Sequence, residues 1–327
     1  MIEEDSLLVT LVRLVERLPV PAPPAQRRRG RPKTYPDQLF LKAVVIMIVR
    51  HLHTVHELLS VLEQPTPEMR SLRTLLTLDG RFPTRRTWER RLQAIPSSLP
   101  AHIGCLGRAL LALIKPFASS GRAAAIDSTV LRARGGVWHK KDREAGTVPH
   151  TSIDTEAHWT KSGWHGWVYG WKLHLVVSVA AVWIPLAAEL TAANVADNEQ
   201  ALTLLPELAA EVRYVLGDQH YNDPSIREWC EQTNRELVAT RRGRYPHRDG
   251  GVEVRRVFHS LRSRAIENLN EQFKGSFDVH GQVPTKGLSN TRRFVLGAVF
   301  VYQLTLWYRY EHDLDLRVGL KPFLKAA

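Results

Sequence analysis

Two acidic residues lie where strands should end, and a third lies on a helix. Asp127 closes the apolar run in AAAIDSTVL, Asp218 follows RYVLG, and Glu267 sits in RSRAIENLNEQFKG. Adjacent strand ends bring two carboxylates to one edge of a sheet, and a neighbouring helix can add a third. Three clustered carboxylates repel one another, so such a group calls for a cation. Hard oxygen ligands suit Mg²⁺ or Mn²⁺. Two such ions about 3.5–4 Å apart stabilise the attacking and leaving oxygens of a phosphodiester displacement. The expected cofactor is therefore Mg²⁺ or Mn²⁺, as two ions, held by Asp127, Asp218 and Glu267. Any one of these acids alone would read as a turn or surface charge. Glu271, one turn after Glu267, is the alternative third ligand.

Other groups extend this pattern. Glu267 and Lys274 are seven residues apart, so they share neighbouring faces of one helix. Lys172 and His174 alternate along a strand and point to one side. If that strand pairs with the Asp127 strand, Lys172 can hold a phosphate and His174 can orient a carboxylate; a solvated sheet face is the other reading. His139, His150, His158, His165 and His174 match no compact zinc spacing. Asp154 reads as a loop organiser. From 132 to 171, Arg132, Arg134, Lys140, Lys141, Arg143 and Lys161 interleave with Trp138, Trp159, Trp164, Trp167, Tyr169 and Trp171. Cations neutralise phosphates and aromatic rings stack on unpaired bases, although some of these rings should be core. From 241 to 264 there are eight arginines against two acids. Arg241, Arg242 and Arg244 open this loop, which either grips phosphate or stays in solvent. Arg29-Gly30-Arg31-Pro32 has the core of a minor-groove arm, or is a basic linker touching phosphate.

The elements that must position these groups fall into two parts. Residues 1–118 read as helical, with an amphipathic start, a proline-rich basic arm at 19–36, and a Thr54–Glu57 capping box. Arg85, Arg86, Arg90 and Arg91 surround Trp88 on a last helix. Short helices, proline turns and a basic last helix fit a helix-turn-helix DNA reader or a structural bundle. Residues 119–312 read as strands at 123–127, 168–182, 183–191, 213–217 and 236–240. Helices follow at 198–211, 224–233, 259–277 and 288–310, with Asp197 capping the first. This is an α/β catalytic domain with a mixed five-stranded sheet, and 313–327 form a tail.

Composition agrees with a soluble chain that meets a polyanion. Of 327 residues, 45 are Lys or Arg and 33 are Asp or Glu, a formal charge of +12; 44% are hydrophobic. That excludes wholesale disorder and favours nucleic acid as partner. Two cysteines exclude a disulfide framework. The acidic start lacks a basic leader region, and no apolar run is long enough for a membrane span, so the expected location is the cytoplasm, on the nucleoid.

Taken together, several motifs resemble a known family. AIDSTVL, DTEAHWTKSGWHGWVYGWKLHL, LTAANVADNEQALTLL, VLGDQHYND and AIENLNEQFKG with its FDVHGQVPTKGLSNTRRF extension are similar to DDE transposases of bacterial insertion sequences. GRPKTYPDQLFLKAV and RRTWERRLQ extend the likeness, less specifically, toward the start. The resemblance implies a ribonuclease H-like fold and metal-dependent cleavage of double-stranded DNA at element ends. It also implies strand transfer into target DNA by a homodimer or larger synaptic assembly. The family signature places Tyr, Arg, Glu and Lys with two, three and six residues between them. Glu267 and Lys274 keep the last spacing. His259 and Arg262 keep the first, but four residues separate Arg262 from Glu267, and Arg264 is an alternative for the Arg. A non-transposing nuclease of the same fold, or an inactive DNA-binding derivative, are the competing readings.

Overall fold

The computed structural model describes residues 6–22, 34–114, 122–163, 166–179, 182–239, 252–277 and 279–325. Arg29 and Arg31 of the basic arm, and Arg241, Arg242 and Arg244, lie outside the described residues, as do Trp164 and His165.

A mixed sheet forms the centre. Its strands are β1 (Ala123–Arg132), β2 (His158–Ser162), β3 (Gly166–Ser178), β4 (Pro185–Ala192), β5 (Tyr214–Gly217) and β6 (Glu236–Ala239). β1 is antiparallel to β3 and parallel to β5, and β5 is parallel to β6. β3 pairs with β2 along its first residues and with β4 along the rest. The order across the sheet is thus β2 or β4, then β3, β1, β5 and β6. Five of these strands form the ribonuclease H-like sheet that the motifs implied.

The sixth strand, β2, corrects the five-stranded reading. It lies in a stretch where neither strand nor helix was expected, which also holds a short helix, α7 (Lys140–Glu144). HWTKS lacks an apolar alternation because β2 is a half-exposed edge strand, so its pairing comes from β3 and not from burial of its own. A second correction concerns β1. It does not end at Asp127 but runs five residues further, to Arg132, so the carboxylate sits inside a strand. β3 is buried from Val168 onward, which explains its near-continuous apolar run.

The first part of the chain is helical: α1 (Leu7–Leu14), α2 (Asp37–Val49), α3 (Val55–Leu62), α4 (Pro67–Leu75), α5 (Arg85–Ala94) and α6 (Leu99–Leu113). Thr54 and Glu57 form the capping box at the start of α3. Trp88 of α5 is fully buried, with its ring 5.0 Å from that of Phe40. Arg91 is buried too, bound to the Asp37 carboxylate and the Tyr35 carbonyl. Around the sheet lie α8 (Asp197–Leu204), α9 (Pro224–Gln232), α10 (Val252–Phe277), α11 (Leu288–Glu311) and α12 (Leu320–Lys325). α10 begins seven residues earlier than its apolar pattern suggested. α8 stops seven residues earlier, where Pro206 enters a tight turn.

The helical part and the sheet share one core. α11 packs against α1, α2, α5, α6 and β4. Its buried Gln303 amide donates to the Ile103 carbonyl of α6 at 2.8 Å and to the Pro185 carbonyl of β4 at 2.7 Å. Among the described residues no helix is long and apolar enough to cross a membrane.

Gly170 fixes the register of β3 against β1. A Cβ there would come 1.9 Å from the Leu131 carbonyl oxygen and 2.9 Å from the Ala133 nitrogen, both backbone atoms that cannot step aside. Gly170→Ala should therefore destabilise the protein by roughly 2–4 kcal/mol in urea unfolding. Gly163→Ala, with open space around it, should stay within about 0.5 kcal/mol.

Candidate active site

Pairing places the first two acids side by side. In the parallel β1–β5 ladder Ala125 lies beside Leu216, so two residues on Asp127 is level with Asp218, just past the end of β5. Asp218 caps a single 3-10 turn, Gln219–Tyr221, accepting from the His220 amide at 2.8 Å. That turn folds Tyr221 back over Gly217. A Cβ on Gly217 would come 2.6 Å from the Tyr221 Cβ, so only glycine lets the ring lie there. Tyr221 is buried, and among the described residues its hydroxyl makes no well-formed hydrogen bond. Burial and the nearby carboxylates of Asp127, Asp197 and Asp218 push its pKa well above the ordinary value.

Asp127 is strained electrostatically. Its carboxylate accepts from Arg262 Nη1 at 3.1 Å and from the Ser128 amide at 2.8 Å. Burial nevertheless pushes its pKa up to about 6; Arg262 opposes this, while Asp218 and Asp197 add to it. The structure therefore places Arg262, and not Arg264, against the acid. Arg262 is buried on the sheet side of α10 with Ile266, Leu269 and Phe273, whereas Arg264 is exposed.

Lys172 and His174 do sit on the strand beside Asp127, but on the other face. Asp127 is opposite Leu175, while Ser128 and Val130 are opposite His174 and Lys172. Alternate residues point to opposite sides, so these two side chains look away from Asp127. Lys172 Nζ donates to Asp197 at 3.1 Å and to the Val195 carbonyl at 2.9 Å. His174 Nδ1 is 3.6 Å from the same carboxylate and Nε2 is 2.9 Å from the Thr191 hydroxyl. Burial pushes His174 down to about 4, so it is neutral near pH 7. Asp197 is the first residue of α8, and Ala196 holds the cap position. The expected cap is instead a half-buried counter-ion. Asp197 and Tyr221 are the two residues that sequence reasoning missed. Their signal lies in spacing: Asp197 opens a helix just after β4, and Tyr221 follows Asp218 by one tight turn.

Glu267 is exposed on α10 and is not among the principal groups acting on Asp127. Glu271 is exposed as well, and Lys274 is half-buried. Among the described residues no three His, Cys, Asp or Glu side chains come close enough together to hold a metal ion. A divalent cation nonetheless suits Asp127 and Asp218. They are hard oxygen donors at one sheet edge, and the charge of Asp127 is destabilised there.

Most of the described aromatic residues of 132–171 are structural. Trp171 and Tyr169 are buried, and Trp159 packs on Tyr169 at 5.3 Å and donates to the Trp138 carbonyl. Trp138 in turn donates to the Thr147 carbonyl and carries Arg143 over its ring. Asp154 is buried and organises its loop, accepting from the Gly287 amide at 2.7 Å. On α5, Arg85 pairs with Glu89 at the surface, while Arg86 and Arg90 are exposed.

A mixed sheet of this order, with Asp127 on β1 level with Asp218 just past β5, has the ribonuclease H-like arrangement that the motifs implied. The chain belongs to the transposase DDE domain family, whose model matches residues 118–304, more than half of its length. Among solved structures, it is similar to the piggyBac transposase synaptic complex with hairpin DNA, at 10% identity and a TM-score of 0.39. That match covers 97% of this chain and 76% of the other. The pre-cleavage Mos1 transpososome (13% identity, TM-score 0.20) and the Mos1 strand transfer complex (15%, 0.22) each match 88% of this chain. They are covered to 81% and 80%. No curated protein matches the chain in sequence.

Asp127 makes a pH prediction with a definite sign. Its folded pKa is raised from 3.8 to about 6, so the folded state keeps a proton that the unfolded state has released. Its contribution to stability is present below about pH 4 and is lost as pH rises to about 6, by at most about 3 kcal/mol. Chemical unfolding in EDTA should show this fall, and Asp127→Asn, which has no such proton, should remove it.

Proposed function

We propose that the protein is an insertion-sequence transposase that cleaves DNA at the ends of its element and joins them to target DNA. The observation that carries this reading is the adjacency of Asp127 and Asp218 at the end of β5 within a transposase DDE domain. Asp127, Asp218 and Glu267 would hold Mg²⁺ or Mn²⁺, as two ions. Glu267 enters through its spacing to Lys274. The chemistry such ions supply is Lewis-acid stabilisation of the attacking and leaving oxygens.

The chain's own part is positioning and charge. β1 and β5 hold the two aspartates at a fixed separation. Arg262 keeps Asp127 oriented and balances its charge. Water attacks the scissile phosphodiester, and the strand leaves with a free 3′-hydroxyl. That hydroxyl then attacks a target phosphodiester and displaces its 3′-oxygen. Neither displacement links DNA to the protein. Lys172 and His174 support this site from behind the sheet. Arg264, Lys274, Arg241, Arg242 and Arg244 contact phosphate. Residues 1–118 recognise the element end, through Arg29 and Arg31 on the arm and Arg85 and Arg86 on α5, and 119–312 carry the catalysis. Two ends must be held together, so the working unit is a homodimer or larger. It works on the nucleoid.

The test uses the full chain, Mg²⁺, and duplexes carrying the inverted repeats that flank its gene. Asp127→Asn, Asp218→Asn and Glu267→Gln should each abolish cleavage while binding to the end persists. Near-native cleavage by Glu267→Gln with loss in Glu271→Gln would move the third ligand one turn along. Cleavage without joining of supplied 3′-hydroxyl ends would leave a nuclease.

Binding should also weaken steeply with salt. Replacing Arg241, Arg242 and Arg244 by alanine should reduce the log–log slope by about 0.9 for each phosphate that these side chains neutralise. Arg85→Ala with Arg86→Ala should weaken binding to the element end more than to random DNA, measured by competition titration.

A further inference from the structure

The sheet face that carries Asp127 continues well past the acids. On β3 that face presents Leu175, Leu173, Trp171, Tyr169 and Trp167 in turn. The row is buried until its end, where Trp167 is 68% exposed. It is the only exposed tryptophan among the described residues. Its cross-strand partner is Lys161 on β2, also exposed, which forms no ion pair among the described residues. The root of this ribbon is held firmly, because Trp159 is wedged between Tyr169 and His139. Near its far end the described ladder thus presents a ring and a cation with no described partner.

The ribbon leaves the sheet in a useful direction. β5 stops at Gly217, beside the acids, while the parallel β1 runs on to Arg132 and the β2–β3 ribbon runs on past it. Eight positions of β3 separate Leu175 from Trp167, or roughly 26 Å at strand rise. That equals about eight base-pair steps of B-DNA at 3.4 Å each. One ring beside one cation is too little apolar surface for a protein interface, which needs about 800 Å² per partner. It suits a polyanion with apolar sugar edges, and the chain's formal charge is +12.

We propose that the Lys161–Trp167 pair, near the far end of the described β2–β3 ladder, is a separate contact for duplex DNA. Lys161 takes a phosphate there and Trp167 lies against the adjoining sugars, about eight base pairs from the phosphate at Asp127 and Asp218. The proposal rests on the transposase reading and adds a second point of grip to it.

The test is a length series. The full-length protein, in EDTA, is titrated with terminal-repeat duplexes truncated to about 4 or extended to about 14 base pairs on either side of the cleavage position. Trp167→Ala with Lys161→Ala should weaken binding of the long duplex about tenfold and leave the short duplex unaffected. Trp167→Phe should retain most of the affinity. Thermal unfolding should not change, because neither side chain is buried. Equal loss on both lengths, or no loss on the long one, overturns the proposal while leaving the transposase reading intact. A wild-type chain that binds neither duplex rejects both.

Discussion

A carboxylate inside a buried strand is the constraint around which the sheet and its helices are arranged. Asp127 cannot move along β1, because ladder bonds to β3 and β5 fix its register on both sides. Nor can it ionise freely, since burial opposes its charge. The surrounding structure answers that cost with one guanidinium, Arg262, and with the Ser128 amide, while Asp218 adds to it. The same fixity that makes the charge expensive makes the placement of Asp127 relative to Asp218 definite. Preorganisation of this kind is what electrostatic catalysis of phosphate transfer requires.

The reverse face of the same strands solves a related problem. Lys172 and His174 are buried polar groups, and a lone buried lysine would lose its charge or unfold its surroundings. Asp197 supplies the counter-charge, and the Val195 carbonyl and Thr191 hydroxyl supply the remaining partners. This network ties α8 to β3 and so fixes the helix that borders Tyr221. Tyr221 then sits between the carboxylates of the two faces, close enough that all three raise its pKa.

Much of this was legible in the residues, and the failures have identifiable causes. Asp127 and Asp218 stood out because each follows an apolar strand run, and parallel pairing puts such ends together. The choice between Arg262 and Arg264 was also latent in the sequence. Ile266, Leu269 and Phe273 define the buried face of α10, and Arg262 precedes Ile266 by one turn, while Arg264 falls across the helix. The same periodicity puts Glu267 about 100° off that face, in agreement with its exposure. β2 was invisible because an edge strand borrows its order from its neighbour. The faces of Lys172 and His174 could not be assigned, since a period of two says which residues share a side but not which partner they meet. Register decides that, and register is a property of two strands.

The placement of α11 carries the synthesis one step further. Among its residues from Thr291 to Arg309, most are buried, and they touch the N-terminal helices on one side and β4 on the other. Gln303 donates to both at once. A helix buried all round belongs to neither part alone; its apolar surface is satisfied only when both are present. α5 with its exposed Arg86 and Arg90 is therefore held in a fixed relation to the sheet by a shared core and not by a linker. Under the proposed function this rigidity has a direct consequence. The distance between α5 and the two aspartates is set by side-chain packing, so substitutions in α11 would alter it from within the core.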